Sequence, residues 1–85
     1  MTPEQLRLEC RLSIAQLAEM AGIGEATYIR IEQGKTVRLQ TVTLEKIHAA
    51  LIQRMPALGY REFIKIMTDK RDEVKYGKRR GWRAA

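Results

Sequence analysis

The stretch Ser13–Gly34, SIAQLAEMAGIGEATYIRIEQG, limits the fold of this chain more than any other feature. It reads as two short helices joined by a tight turn. Ser13 can cap the first, and Gln16 three residues later completes a capping box. Leu17, Ala18 and Ala21 then share one face at helical spacing. Gly22 stops that helix, because the residue just past a helix end often takes positive φ, which glycine adopts without a Cβ penalty. Ile23 follows as an apolar plug, Gly24 can open a second helix, and Tyr28 and Ile31 turn back inward. Gly34 closes that helix in turn. Two helices crossing over so short a turn approach closely and call for a small residue midway along the first. Ala18 stands there.

The flanking segments read as helices too. Thr2-Pro3 supplies a capping hydroxyl and a proline at the first helical position, with Gln5 three residues after Thr2. This first helix is expected to run to about Arg11 and to bury Leu6 and Cys10. The second and third are expected at about 14–21 and 25–33, followed by a polar connection from Lys35 to Gln40. A fourth runs from near Thr41 to about Arg54, with Leu44, Ile47, His48 and Leu51 on one face. Pro56 disfavours helix at Met55, so a break belongs there. A fifth covers about Tyr60 to Lys70 or a little beyond, with Tyr60, Phe63, Ile64 and Met67 as its apolar stripe. After Val74 the pattern stops. No internal repeat and no strand-like alternation is visible, so the chain is all-α: a five-helix domain over 1–74 and a basic tail over 75–85.

Length and charge narrow the class. Eighty-five residues allow one small domain, whose limited core makes oligomerisation a plausible supplement. An apolar content of 45% argues against wholesale disorder. No apolar run reaches membrane-spanning length and no signal-peptide pattern opens the chain. The lone Cys10 can form neither an internal disulfide nor a cysteine-rich metal site, and reads as a reduced apolar residue. A cytoplasmic protein is expected. The net charge of +6 is concentrated at one end: Lys75, Lys78, Arg79, Arg80 and Arg83 meet no acid after residue 74. A polyanionic partner follows, with nucleic acid first and a membrane surface second.

Leu17, Ala18, Ala21, Gly22, Ile23 and Ile31, with the ending IEQG, resemble the helix-turn-helix of the Xre/Cro-repressor-like family. The resemblance extends over about residues 6–51 and implies a compact bundle of the lambda-repressor-like type. TLEKIHAAL looks like that family's fourth helix, although His48 stands where a small alanine is usual and Leu39 where proline is common. It further implies that Arg7 and Glu32 form a largely buried salt bridge between the first helix and the end of the third, and are structural.

Catalysis has little to work with. His48, the single histidine, sits on an otherwise apolar face with no second histidine or cysteine to share a metal, and reads as a packing residue with one hydrogen bond. Ser13 has a capping task and no base partner. Lys35 beside Gly34 lacks the glycine spacing of a phosphate loop. No enzyme activity, cofactor or metal is expected.

Double-stranded DNA is the expected partner. In a helix-turn-helix the second helix enters the major groove with its N-terminal residues at base edges. With Tyr28 and Ile31 inward, Gly24, Glu25, Ala26, Thr27, Ile29 and Arg30 remain outward. Arg30 can pair bidentately with guanine, Glu25 can accept from cytosine N4, and Ala26 or Ile29 can meet a thymine methyl. Phosphate contacts are assigned to Gly24, Thr27, Lys35 and Arg38, with Ser13 and Gln16 at the start of the second helix. Two departures from the family pattern touch this region. Ile14 replaces a common glutamine, and Gly24 replaces a Ser or Thr, losing a hydroxyl but keeping backbone donors. Lys75, Lys78, Arg79, Arg80, Trp82 and Arg83 are read either as an arm along phosphates or in the minor groove, or as a solvated end.

The expected function is a sequence-specific transcriptional regulator, a repressor acting as a homodimer on a palindromic operator, with Tyr60, Phe63, Ile64 and Met67 at the dimer surface or simply covering the core. A second reading is an antitoxin or adaptor that grips a protein partner, such as a toxin or antirepressor, with its tail. A third is a non-specific nucleic-acid binder driven by that tail.

Overall fold

The computed structural model of the chain describes residues 1–36 and 38–76. Five helices follow one another: α1 (Pro3–Glu9), α2 (Ile14–Ala21), α3 (Glu25–Glu32), α4 (Thr41–Leu51) and α5 (Tyr60–Tyr76). None of the described helices is long and apolar enough to cross a membrane.

Local chemistry sets most of the boundaries. The Thr2 hydroxyl accepts from the Gln5 N–H at 3.2 Å, and Gln5 Oε1 accepts from the Thr2 N–H at 2.9 Å. Ser13 and Gln16 repeat this reciprocal arrangement at 3.0 and 2.8 Å. Each box satisfies two backbone donors near the helix start. Gly22 takes φ 70°, its N–H reaching the Glu19 carbonyl while the Ile23 N–H reaches that of Ala18. The end of α3 repeats this Schellman motif at Gly34, φ 74°, with Gly34 N–H on Ile31 and Lys35 N–H on Arg30.

Three boundaries differ from the sequence expectation. Helix α1 ends at Glu9 rather than near Arg11, because Arg11 adopts a left-handed φ of 58° that swings Leu12 into the core. Helix α4 ends at Leu51, after which Arg54 and Met55 N–H groups both turn back to the Leu51 carbonyl before Pro56. Helix α5 continues through residue 74 to Tyr76, so Lys75 is helical.

The core lies where α2, α3 and α4 meet, closed by α1 and α5. Leu6, Leu17, Tyr28, Ile47, Leu51 and Phe63 are fully enclosed in it. His48 is half-buried, and its Nε2 donates to the Leu58 carbonyl at 2.9 Å, tying the linker to α4. Its ring also meets Tyr60 edge-on at 5.2 Å. Burial pushes the Cys10 thiol up from its ordinary range, which leaves it protonated and unreactive.

The stripe on α5 divides in two. Phe63 and Met67 are 0% and 1% exposed, so both hold the helix onto the core. Only Tyr60 and Ile64 of that set reach the surface.

Candidate nucleic-acid interface

The orientation of α3 is set from below. Tyr28 and Ile31 point into the core, at 0% and 4% exposure. Glu32 is buried in the next position and gathers three donors around its carboxylate. Arg7 Nε donates to Oε1 at 2.7 Å and Nη2 to Oε2 at 3.3 Å, while the Tyr28 hydroxyl donates to Oε1 at 2.8 Å. The remaining Arg7 nitrogen, Nη1, donates to the Leu12 carbonyl at 2.9 Å. A charge taken out of water is tolerated only when paired and hydrogen-bonded, and here both partners are.

The cluster biases its own protonation states. The hydrogen bond that Arg7 donates to Glu32 raises the guanidinium further, against the desolvation that would lower it. Burial, seconded by the hydrogen bond to Glu32, drives the Tyr28 phenol far above its ordinary range. Tyr28 therefore keeps its proton and stays a donor.

With that side pinned, α3 turns Glu25, Ala26, Thr27 and Arg30 to solvent and leaves Ile29 half-buried. Gly24 precedes the helix at φ −71° with no side-chain cap, so first-turn N–H groups have no side-chain acceptor. A Cβ at Gly24 would meet only Thr27 Oγ1, at 3.9 Å.

Beside this face lies a cleft of about 210 Å³ between α3, the connection and the start of α4. Thr27, Arg30, Thr36, Arg38, Gln40 and Thr43 form its polar lining, over a floor of Ile31, Leu39 and Leu44. Thr27 and Arg38 are thereby brought together with Arg30, whereas Lys35 lines a different cleft, against α5. Ser13 and Gln16 remain exposed at the start of α2, but their acceptor oxygens are committed to the capping box. Only the Ser13 hydroxyl proton and the Gln16 amide NH₂ are left to donate. Lys78, Arg79, Arg80, Trp82 and Arg83 lie outside the described residues.

Thr36, Gln40 and Thr43 carry no signal of their own as part of a polar loop and helix start.

A helix-turn-helix family model matches residues 4–52, more than half of the chain, covering α1 to α4 and leaving α5 outside. No curated protein and no solved structure matches the chain significantly. Two short helices joined through Gly22, a second helix with one face pinned and the other bare, and that matched span lead to one assignment: the chain belongs to the helix-turn-helix family of the Xre and lambda-repressor type, whose members are DNA-binding regulators of transcription.

Proposed function

We propose that the chain is a sequence-specific repressor that binds a palindromic operator as a homodimer. The single observation that supports this best is the outer face of α3, where Arg30 and Glu25 are exposed while Tyr28, Ile31 and Glu32 are locked beneath. Arg30 reads guanine through its planar fork, and Glu25 accepts from a cytosine amino group. Ala26 and Ile29 meet thymine methyls. Gly24, Thr27 and Arg38, with Lys35, Ser13 and Gln16 on either flank, hold the phosphates and so fix the register of α3 in the groove.

A helix of 8 residues touches few base pairs, so one copy discriminates weakly. Two copies about a two-fold axis double the contacts and set half-sites about 34 Å apart. Tyr60 and Ile64, at the corner between α4 and α5, are the part of the α5 stripe available for that contact. Occlusion of a promoter is the simplest consequence of such binding. Selection of bound duplexes from a random DNA pool tests the reading. A recovered palindrome supports it, and a pool without enrichment overturns it.

A further inference from the structure

We propose that the junction of α3 with α5 is a second DNA-backbone site, taking a phosphate outside the base pairs that α3 reads. This deepens the reading of the chain as a DNA binder and rests on it. A cleft of about 300 Å³ is lined there by Gly34, Lys35, Thr36, Arg71, Val74 and Lys75. Three of the six are cations, from two elements far apart in sequence, and among the described residues none of the lining is acidic.

The cleft exists because Gly34 has no side chain. A Cβ there would stand 2.7 Å from the Lys70 carbonyl oxygen and 2.8 Å from Val74 Cγ2, so α5 closes directly on the backbone at the end of α3. That approach sets Arg71 and Lys75, one turn apart on α5, beside Lys35. Like charges gathered this way repel one another. Arg71 pairs with its chain neighbour Asp72, at 3.4 Å with both side chains a quarter to a third exposed, a surface pair that an incoming anion can replace.

Position identifies the anion. Thr36 lines this cleft and also the cleft that holds Arg30 and Arg38, so the two form one continuous basic strip running from the reading face to α5. A phosphodiester backbone is a continuous row of charges that fits such a strip, whereas a lone anion would use only one end of it. Helix α5 lies outside the family match, so the contact is argued from this chain's own residues.

The test is salt-dependent binding by the full chain and by the double variant R71Q/K75Q, to the selected duplex and to a random-sequence duplex of equal length. Each lost phosphate contact lowers the slope of log affinity against log salt by roughly 0.9. The expected result is a slope lower by about 0.9 on both duplexes, with the preference for the selected one unchanged. An unchanged slope overturns the proposal and returns the cleft to a protein or membrane partner. A changed preference with an unchanged slope overturns it equally. If R71Q/K75Q fails to melt cooperatively, K75Q alone, in the exposed last turn, carries the test with a slope change of about 0.9. Failure of the repressor reading shows separately, as no enrichment in the pool, and the random-sequence duplex still reports on the cleft.

Discussion

Gly34 and Lys70 touch backbone to backbone: a single methyl on Gly34 would stand 2.7 Å from the Lys70 carbonyl oxygen. The second turn-closing glycine, Gly22, has the same left-handed backbone but nothing within 4 Å of where its Cβ would be. The pair separates two costs that usually arrive together. Gly22→Ala should destabilise by about 1–2 kcal/mol, the cost of the backbone conformation alone. Gly34→Ala should add roughly 1–3 kcal/mol for the overlap with α5. Thermal melts check it, with about 4–8 °C lost per kcal/mol in a domain of this size. Equal losses would mean that α5 does not close on the end of α3.

Removing Glu32 leaves the Arg7 charge buried with the Leu12 carbonyl and, 4.0 Å away, the exposed carboxylate of Glu4 as its remaining partners. Glu32→Ala should therefore cost about 3–5 kcal/mol, a large part of a stability of roughly 5–15. A melt within a couple of degrees of the parent would show that the buried pair is not holding α1 to α3.

The same cluster imposes an alkaline limit. An unfolded tyrosine ionises near its ordinary value of 10.0, while Tyr28 in the fold is held protonated far above it, by burial first and then by Glu32. Folding thus retains a proton that the unfolded chain gives up. Stability from this group is whole below about pH 10 and falls as pH climbs beyond, by up to roughly 1.4 kcal/mol per unit. Tyr28→Phe should lower stability at neutral pH by about 1 kcal/mol, for the lost hydrogen bond. It should also flatten this alkaline slope, which urea titrations on either side of pH ~10 would reveal. A slope identical in the two proteins would count against the cluster as the source.

Phe63 distinguishes a core from an interface. As a fully enclosed ring, its replacement by alanine should cost roughly 3–5 kcal/mol at any protein concentration. If Phe63→Ala instead left the melt alone and shifted only the sedimentation of a dimer, the burial of α5 described above would be wrong.

On DNA, Arg30→Ala should lose roughly 1–3 kcal/mol on the selected duplex and relax preference at one base pair in each half-site. Glu25→Ala should broaden specificity with little loss of affinity, since the role proposed for its carboxylate is to penalise wrong bases. An equal loss on selected and scrambled duplexes would make Arg30 a phosphate anchor and leave reading to Glu25, Ala26 and Ile29.

What was legible in the residues is what neighbours in the chain decide. Ser13 with Gln16, Thr2 with Gln5, and the glycines at 22 and 34 each declare a helix end within a few positions, and the structure has every one of them. The fate of Phe63 and Met67 was not legible, because an apolar stripe has the same spacing whether a core or a partner covers it. Arg11 gave no sign of its left-handed turn, since arginine is an unusual residue there and the demand comes from Leu12 reaching the core. The convergence of Lys35 with Arg71 was hidden for a similar reason. It depends on how far α5 extends, and the charged composition of its last turns looks like an ordinary solvated helix.

The arrangement around Arg7 bears on how the chain could be dissected. A helix as short as α3 has little stability of its own in water, well below the roughly 12–15 residues at which isolated helices become even marginal. Its end is fastened through Glu32 to a side chain 25 positions earlier, which also holds the carbonyl of Leu12. A peptide limited to α2 and α3, though it contains the whole turn and every residue assigned to base reading, would lack that fastening. The smallest piece expected to grip a duplex then starts upstream of Arg7, and a protease cut within α1 should abolish binding without removing any residue assigned to DNA.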